Sequence, residues 1–378
     1  MVRLGLVGLG KMGISHLAIA NSHPDAEVTA VCDPSTYVID GIRKFTKFRT
    51  YGDYRAMLQD ENLDAIIVAT PSRSHRDIVQ LALDRDISVF CEKPFCLEAA
   101  ESERLAEVAT ARGLANQVGY HARFIATFRE AKRIIDSGAL GALHHIKAEA
   151  YGGVVLRPAR GTWRGTRAEG GGCLYDYASH AVDLVNYLVG APEKVAGTAL
   201  NRIFSADVED AVFSTLMFGN GMTGQIEANW SDESYRKMFM RITVWGANGR
   251  VTADRQEIQT FMRTNPQAHT GLKKGWSLRN TTELTEDVWY YLRGEEYSAQ
   301  LDYFVQRVRD RDSRNISSFE SAAETDRVLG MMVADGTQNA SLPKGNVSLG
   351  SKSLGNKPLG NRSLGERPSA GLLHWSRQ

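Results

Sequence analysis

The first third of the chain alternates short apolar runs with stretches of helical spacing. The apolar runs cover residues 4–7, 28–31, 65–69, 88–90 and 116–119. Near-continuous apolar strands separated by helices are typical of a parallel sheet that is covered on both faces. Residues 1–122 therefore predict one α/β domain built on a parallel sheet.

The pattern changes after residue 122. Helical spacing over residues 124–135 leads into a strand-like run at 144–150 and a second helix at 174–188. Four long β-prone runs then follow one another without helices between them, at residues 194–203, 211–218, 223–230 and 238–245. This succession predicts a second α/β domain over residues 123–340 with an open, mostly antiparallel sheet. Helical stretches at 299–309 and 319–334 close this part, and we expect the helix near 319–334 to pack back on the first domain.

The last 38 residues differ in kind. From residue 346 the sequence reads NVSLG, SKSLG, NKPLG and NRSLG, a repeat with little apolar content besides leucine. Such a segment cannot bury enough surface to offset its ordering entropy, so residues 341–378 are predicted to be a disordered tail. The tail holds six basic residues and one acid, so the net charge of +1 for the whole chain divides into about +5 for the tail and about −4 for the rest. With sparse charge and one large aromatic residue, the tail is a poor candidate for binding nucleic acid, and we expect no such partner.

Composition excludes several classes of protein. The 378 residues are 43% hydrophobic and 24% charged, as is usual for globular domains. The chain has no run of about 18 apolar residues, which argues against a membrane span, and its start does not resemble a secretory signal. The four cysteines are too scattered for a disulfide framework, which favours a reduced, cytoplasmic setting.

A glycine motif follows the first apolar run. Gly8, Gly10 and Gly13 form GxGxxG at the start of a helical pattern. These glycines permit a tight turn and close approach of the backbone to a pyrophosphate, which the helix N-terminus then binds. Asp33 lies about twenty residues further on, where a carboxylate accepts hydrogen bonds from a ribose and repels a 2′-phosphate. The combination predicts a Rossmann domain that binds NAD rather than NADP; a glycine turn followed by a strand-ending aspartate is the simpler alternative.

Two other apolar runs end in residues with possible chemistry. Lys93, in the sequence Glu92-Lys93-Pro94, follows the fourth run, where open α/β sheets bind ligands. A lysine there can donate to a reacting hydroxyl or carbonyl oxygen, although for a lysine taken alone a solvated surface position is the more common case. Thr70 and Pro71 close the third run, and their position suggests contact with a nicotinamide.

A glycine-rich segment precedes an acid and a histidine. Three glycines at 170–172 lead to Asp176, His180 and Asp183, whose helical spacing places them on one face. A carboxylate beside an imidazole orients it and raises its basicity, as a general base for an alcohol requires. The alternative is an aspartate favoured by the helix dipole near a structural histidine. The sequence offers no further histidine or cysteine group to complete a metal site, so we expect no metal.

Five motifs in this order resemble those of the glucose-fructose oxidoreductase, inositol dehydrogenase and rhizopine catabolism (Gfo/Idh/MocA) family. They are GLGKMG, CDP, ATP with His75 four residues later, EKP, and GGGCLYDYASHAVDL, and the resemblance covers roughly residues 2–335. It implies a Rossmann domain followed by an α/β domain whose open sheet commonly forms a dimer or tetramer interface. The repeat tail departs from the family pattern.

The resemblance also implies roles for individual residues. Lys93 corresponds to the family's catalytic lysine, Asp176 to its substrate-binding acid and His180 to its acid/base. Arg123 lies where the family often has a substrate-facing polar residue. The cofactor contacts implied by the motifs are Gly8, Gly10, Lys11, Met12, Gly13, Asp33, Thr70, Pro71, His75, Glu92 and Lys93.

These observations predict an NAD-dependent enzyme that oxidises a secondary hydroxyl of a sugar, sugar derivative or cyclitol, or reduces the ketone. Besides Lys93, Arg123, Asp176 and His180, the substrate contacts would include Trp163 and Arg164, in a loop that also contains Arg157, Arg160 and Arg167. An aromatic face suits a sugar ring, and arginine pairs with anionic groups. Two alternatives stay open: an NAD-recycling lyase or glycosidase that oxidises its substrate transiently, and a non-catalytic dinucleotide-sensing regulator. We expect a homodimer or homotetramer.

Overall fold

Six parallel strands build the first sheet. They are β1 (Val2–Val7), β2 (Ala26–Cys32), β3 (Arg49–Tyr51), β4 (Ala65–Val68), β5 (Ser88–Cys91) and β6 (Asn116–Val118). Their order is β3-β2-β1-β4-β5-β6, which is the strand order of dinucleotide-binding domains. The computed structural model describes residues 1–157, 163–266, 270–312 and 314–340, so the predicted tail and Arg160 lie outside the described residues.

Helices separate these strands. They are α1 (Lys11–Asn21), α2 (Thr36–Phe45), α3 (Tyr54–Asp60), α4 (His75–Leu83) and α5 (Ala99–Ala111). Strands β4 and β5 are buried at every position, which explains their continuous apolar runs. The sequence analysis missed β3, because this short edge strand has no apolar run and is partly exposed.

A second sheet of eight strands follows. Its elements are α6 (Ala126–Asp136), β7 (Leu143–Tyr151), α7 (Ser179–Val189), β8 (Lys194–Asn201), β9 (Ala211–Met217), β10 (Thr223–Asn229), β11 (Phe239–Gly246), β12 (Gly249–Asp254), β13 (Glu257–Met262) and β14 (Gly275–Asn280). The strand order is β14-β13-β12-β11-β7-β10-β9-β8, and every neighbouring pair is antiparallel except β7 with β10. The predicted mostly antiparallel sheet is confirmed. Strands β12 to β14 were not predicted, because polar residues interrupt their apolar positions.

Helices cover one face of the second sheet. The buried side chains of α6 and α7 form a core with those of β7 and β9 to β13. On β9, Val212 and Leu216 belong to this core, whereas Phe213 and Met217 are exposed on the opposite face. In the part of the chain that the structure describes, the second sheet therefore keeps this opposite face free of helices.

Two C-terminal helices connect the cores. In α8 (Glu295–Asp310), Phe304 packs in the first-sheet core, although the predicted range 123–340 includes it. In α9 (Phe319–Ala340), Phe319 lies in the first-sheet core and Met332 in the second. Residues Met1–Ser341 form one compact unit, and the domain boundary at residue 122 stays a prediction. No helix in the part of the chain described here is long and apolar enough to cross a membrane.

Candidate active site

The glycine-rich turn between β1 and α1 leaves an open approach at one of its glycines. Gly8 has a positive φ of 95°, and a Cβ there would lie 2.6 Å from the carbonyl oxygen of Ala69. A Cβ at Gly13 would lie 1.8 Å from the carbonyl oxygen of Gly8. A Cβ at Gly10 would meet no described atom within 4 Å. Gly8 and Gly13 are thus required by packing, whereas Gly10 gives a ligand access to the backbone.

Helix α1 begins directly after this turn, at Lys11. No described side chain caps its first turn, so its leading amides are available to an anion. Lys11 is exposed and Met12 is partly buried at this end of the helix. Their contact with a cofactor stays a prediction.

Asp33 lies beside the same turn. Its Oδ2 accepts a hydrogen bond from the backbone amide of Leu9 at 2.7 Å, and its Oδ1 accepts one from the amide of Ser35 at 2.9 Å. A carboxylate has about four acceptor positions, so two remain for ribose hydroxyls. The fold therefore brings the predicted glycine motif and its acid together.

The segment after β4 provides a further polar group at this edge. The Oγ1 atom of Thr70 is buried and has no hydrogen-bond partner among the described residues. Pro71 follows it and is exposed. A buried, unsatisfied hydroxyl next to the glycine turn fits a position that a ligand completes.

His75 lies buried between two backbone segments. Its Nε2 lies 3.0 Å from the carbonyl oxygen of Thr70, and its Nδ1 lies 3.0 Å from that of Pro94 and 3.1 Å from that of Phe95. The imidazole is fully buried, and burial lowers its pKa despite these carbonyl groups. The neutral ring has a single N–H, so His75 donates from one nitrogen to a backbone carbonyl of one of these two segments, and its contact with the cofactor stays a prediction.

Glu92 is also directed into the protein. Its Oε1 lies 2.6 Å from Nε2 of His16 in α1, and both residues are buried. Burial acts to raise the pKa of Glu92, but His16 and the neighbouring cations outweigh this effect and lower it. The pair fixes the end of β5 to α1, while direct contact of Glu92 with the cofactor stays a prediction.

Lys93 is the centre of a charged network. Its Nζ donates to Oδ1 of Asp176 at 2.8 Å and to the carbonyl oxygen of Asp176 at 3.0 Å. Arg164 donates from Nε to the other carboxylate oxygen of Asp176 at 3.0 Å. Burial acts to raise the pKa of Asp176, but the charges of Lys93 and Arg164 outweigh it and lower the pKa. An ionised Asp176 thus holds the lysine in place, and one of the three ammonium hydrogens remains for another ligand.

Asp176 belongs to a π-helical turn, Leu174–Ala178, that the sequence analysis read as part of an α-helix. Glu209 anchors the start of this turn, since its carboxylate accepts hydrogen bonds from the amide of Leu174 and from Arg167, each at 3.0 Å. Gly172 has a φ of 112°, and a Cβ there would clash with the Glu209 carboxylate at 2.2 Å. Glu209 could not be found from local pattern, because it lies 35 positions along the chain from the Leu174 amide that it binds.

His180 lies within electrostatic range of Lys93. Burial, followed by the charge of Lys93, lowers its pKa well below the usual value, so the imidazole is neutral at ordinary pH. No hydrogen bond of the described residues joins it to Asp176, whose oxygens bind Lys93 and Arg164. We expected Asp176 to orient His180, but in the structure Asp176 orients Lys93 instead.

Arg123 and Asp183 form a separate buried pair. Arg123 donates to both carboxylate oxygens of Asp183, from Nε at 2.9 Å and from Nη2 at 2.6 Å. Its Nη1 donates to the carbonyl oxygen of Ile316 and to Ser321. Arg123 is only 3% exposed. Arg123 is thus paired in the interior instead of facing a substrate, and Asp183 binds Arg123 instead of joining Asp176 at the site, because this pair joins α7 to the segment leading into α9.

His121 is a site residue that the sequence analysis missed. It follows β6, and its ring centroid lies 4.9 Å from that of His180 and 4.9 Å from that of Tyr297, on which it stacks. Burial and the charge of Arg255 lower its pKa to about 3. The position of His121 just beyond the carboxyl end of a parallel strand could have indicated it as a site residue. The sequence analysis chose the neighbouring Arg123 instead.

The two predicted substrate contacts of the loop, Trp163 and Arg164, lie next to each other. Arg164 joins the Lys93 network as described, and its guanidinium lies 4.6 Å from the ring centroid of Trp163. Trp163 is 38% exposed, so its ring remains accessible.

Among the described residues, no group of three or more histidine, cysteine, aspartate or glutamate side chains is arranged to hold a metal ion.

Known proteins that are similar to this chain include dehydrogenases and a hydratase. The myo-inositol 2-dehydrogenase of Thermotoga maritima is 28% identical over 84% of this chain and 87% of its own length. The 2,7-anhydro-N-acetylneuraminate hydratase of Escherichia coli is 27% identical over 71% of each chain. A levoglucosan dehydrogenase, solved in complex with NADH and levoglucosan, has the same fold, with a TM-score of 0.78 at 21% identity over 89% of this chain and 97% of its own.

Two family models match most of the folded part. Residues 2–120 match the NAD-binding Rossmann fold of an oxidoreductase family, and residues 128–252 match the GFO/IDH/MocA C-terminal domain. The resemblance of the five motifs, the fold class and the NAD-binding oxidoreductase class are thereby confirmed. The chain belongs to the Gfo/Idh/MocA oxidoreductase family.

Proposed function

We propose that this protein is an NAD-dependent dehydrogenase that transfers a hydride between the nicotinamide and a secondary hydroxyl, or the corresponding ketone, of a sugar, sugar derivative or cyclitol. The observation that carries the proposal is the arrangement at the end of β5. There Asp176 fixes the ammonium of Lys93 within electrostatic range of a neutral His180. Together these groups can bind a reacting oxygen and accept its proton.

The residues at the sheet edge fit a dinucleotide. Gly10 leaves space for a pyrophosphate at the amides that begin α1, and Asp33 keeps acceptor positions for the adenosine ribose. The carboxylate of Asp33 would repel a 2′-phosphate, which supports NAD over NADP. Bound NAD supplies the hydride acceptor for alcohol oxidation and, as NADH, the hydride donor for the reverse reaction.

The side chains divide the remaining work. Lys93 donates its free ammonium hydrogen to the reacting oxygen and so stabilises negative charge that develops there. His180 removes the hydroxyl proton, for which its neutral form is required. Asp176, itself bound by Arg164, fixes the position of the Lys93 ammonium. In the reduction, the same groups return a proton to the oxygen.

The substrate class rests on the relatives and on the aromatic side chain of Trp163. Two relatives are named for myo-inositol and for levoglucosan, which carry secondary hydroxyls. Trp163 offers an accessible ring beside Arg164, which binds the Asp176 partner of Lys93, and such a ring packs against the C–H face of a sugar. We retain Trp163 and Arg164 as proposed substrate contacts.

The proposal includes the setting of the enzyme. The helix-free face of the second sheet exposes Phe213, Met217, Trp276 and Leu278, and this supports a homodimer or homotetramer formed through that face. All four cysteines are buried and unpaired, which supports a cytoplasmic location.

A second candidate is an NAD-recycling lyase that oxidises its substrate transiently. It is favoured by the relative named as a hydratase, whose name denotes addition or removal of water. The same Lys93 and His180 would serve both reactions. Product formed without net accumulation of NADH would identify this activity.

The experiment is a screen of sugars, cyclitols and their acidic derivatives with NAD and with NADP, following the absorbance of the reduced cofactor. For the best substrate, we expect Lys93→Met and His180→Ala each to lower kcat by about a hundredfold or more while NAD binding is retained. Lys132→Met and His145→Ala, which alter side chains on α6 and β7 away from the site, are the matched controls. Wild-type turnover in both site variants, with NAD bound, would refute the assignment.

A further inference from the structure

The imidazole of His180 lacks the carboxylate partner that its helical spacing predicted. The oxygens of Asp176 bind Lys93 and Arg164, and the buried Nδ1 of His180 has no partner among the described residues. A base that takes a proton from a bound substrate needs a fixed ring orientation, because its accepting nitrogen has to point at the reacting oxygen. Contacts other than a carboxylate must therefore orient this ring.

Two aromatic rings contact the imidazole of His180. The ring centroid of His121 lies 4.9 Å away with the planes at 69°, and that of Tyr120 lies 6.0 Å away with the planes at 90°. Both are edge-on arrangements, within the distance range that aromatic pairs prefer. The two residues are consecutive and follow β6, so one backbone segment carries both contacts.

A second stack holds the ring of His121. Tyr297, in the first turn of α8, lies nearly parallel to it, with the centroids 4.9 Å apart and the planes at 15°. His121 is only 6% exposed, and its backbone amide donates to the carbonyl oxygen of Gly119 at 3.0 Å. The imidazole of His121 is thus held between Tyr297 and His180.

The first turn of α8 is itself fixed to the second sheet. The carboxylate of Glu296, which is 4% exposed, accepts a hydrogen bond from Arg255 in the turn between β12 and β13. Gly294 precedes the helix with a φ of 139°, and a Cβ there would lie 2.4 Å from Glu296 and 2.8 Å from Arg255. The guanidinium of Arg293 lies 5.3 Å from the ring centroid of Tyr297. These contacts keep Tyr297 in place beside His121.

His121 carries no charge at ordinary pH. Burial, followed by the charge of Arg255, lowers its pKa to about 3. It therefore adds no positive charge beside His180 when that ring takes up a proton. Its contact with His180 is that of a neutral aromatic ring, which a phenyl ring would also provide.

We propose that His121, held by Tyr297, is a positioning residue that fixes the ring orientation of His180. The inference rests on the proposed dehydrogenase function, in which His180 accepts the hydroxyl proton. Asp176 then positions the ammonium of Lys93, and His121 positions the imidazole, so each of the two reacting groups has its own support. His121 acts through His180 and needs no contact with the substrate.

The test compares two substitutions of His121 with the best substrate of the screen. His121→Phe keeps an aromatic ring for both contacts, whereas His121→Leu removes it. We expect His121→Leu to lower kcat about tenfold or more, and His121→Phe to stay within about threefold of the wild type. KM and the dissociation constant of NAD should change by less than about twofold in both, because only the proton-transfer geometry is altered.

The matched control is His23→Leu. It removes another buried histidine that lies edge-on to an aromatic ring, that of Trp289, just beyond the carboxyl end of α1. This variant should lower Tm and keep the wild-type kcat, which separates loss of stability from loss of positioning. Tyr297→Leu and Tyr297→Phe repeat the comparison one ring further away, and only the leucine variant should lower kcat.

A double-variant cycle shows whether His121 acts through His180. In the His180→Ala background, His121→Leu should cause no further loss of kcat, since the ring that it positions is gone. Losses that multiply would show that His121 acts independently, and they would overturn the inference. An equal loss of kcat in His121→Phe and His121→Leu would overturn it as well.

The outcomes separate this inference from the enzyme assignment. If the wild type forms NADH and His180→Ala lowers kcat, but His121→Leu matches the wild type, the positioning role is refuted and the dehydrogenase stands. If no compound yields NADH, the dehydrogenase proposal fails, and crystal structures of the variants decide the positioning alone. A rotated His180 ring in His121→Leu with an unchanged ring in His121→Phe would support it, and the wild-type orientation in both would overturn it.

Discussion

The buried pair of Arg123 and Asp183 allows a quantitative test of the corrected site. Replacing Arg123 with methionine keeps much of the side-chain volume but removes the guanidinium that binds both oxygens of Asp183. Asp183 is 0% exposed, so solvent cannot replace the lost partner. The variant therefore leaves a carboxylate buried without its countercharge.

Breaking a buried ion pair by removing one partner typically costs about 3–5 kcal/mol of stability. The entropy of unfolding near the midpoint is about 2.1 cal/mol/K per residue, or roughly 0.7 kcal/mol/K for the compact unit Met1–Ser341. The expected fall in Tm is therefore about 4–7 °C. Differential scanning calorimetry measures it, with Arg129→Met, an exposed arginine of α6, as the control.

The loss should depend on pH. Burial already raises the pKa of Asp183 in the folded protein, and Arg123 opposes that rise, so removing Arg123 raises the pKa further. An acid with a raised folded pKa contributes stability at low pH and loses it as pH rises above the ordinary value of 3.8. The deficit of Arg123→Met should thus be smaller at about pH 5 than at about pH 8.

A double variant completes this test. Arg123→Met combined with Asp183→Leu should recover much of the lost stability, because apolar replacement of both members of a buried pair is often neutral. An unchanged Tm in Arg123→Met, together with a raised KM for the sugar, would refute the reasoning and restore Arg123 as a substrate contact.

Two further predictions concern the cofactor edge. Gly10→Ala should leave Tm unchanged but weaken NAD binding, measured by fluorescence titration. Gly13→Ala should lower Tm, because its Cβ would lie 1.8 Å from the carbonyl oxygen of Gly8. Equal effects of the two substitutions on Tm would contradict the different roles assigned to the two glycines. Asp33→Ser should weaken NAD binding and narrow the preference for NAD over NADP, since it removes the carboxylate that repels a 2′-phosphate. An unchanged ratio of the two dissociation constants would show that Asp33 does not set the preference.

Local pattern was sufficient for the main elements. The continuous apolar runs of β1, β4 and β5 arise because both faces of those strands are buried. The GxGxxG motif lies within one turn, where Gly8 and Gly13 have no space for a Cβ atom. Short or polar strands escaped prediction, as β3 and β14 show, because an exposed edge strand needs no apolar run. Their place in the sheets is set by pairing with strands distant in sequence.

The candidate site shows the same division. Lys93, Asp176 and His180 were found from motifs, since each follows a local signal: the end of a strand or a glycine-rich turn. Their partners were not found correctly, because the spacing of Asp176 and His180 on one helix predicted a contact that Lys93 takes instead.

By itself, the sequence determined the Rossmann order of elements and the glycine turn, and it indicated the side chains that we propose to react. These follow from periodicity and from backbone constraints that act over a few residues. Only the tertiary structure decided which charges pair. A buried charge binds whichever opposite charge the fold brings within reach, so Arg123 binds Asp183 in the interior and Asp176 binds Lys93 across 83 residues.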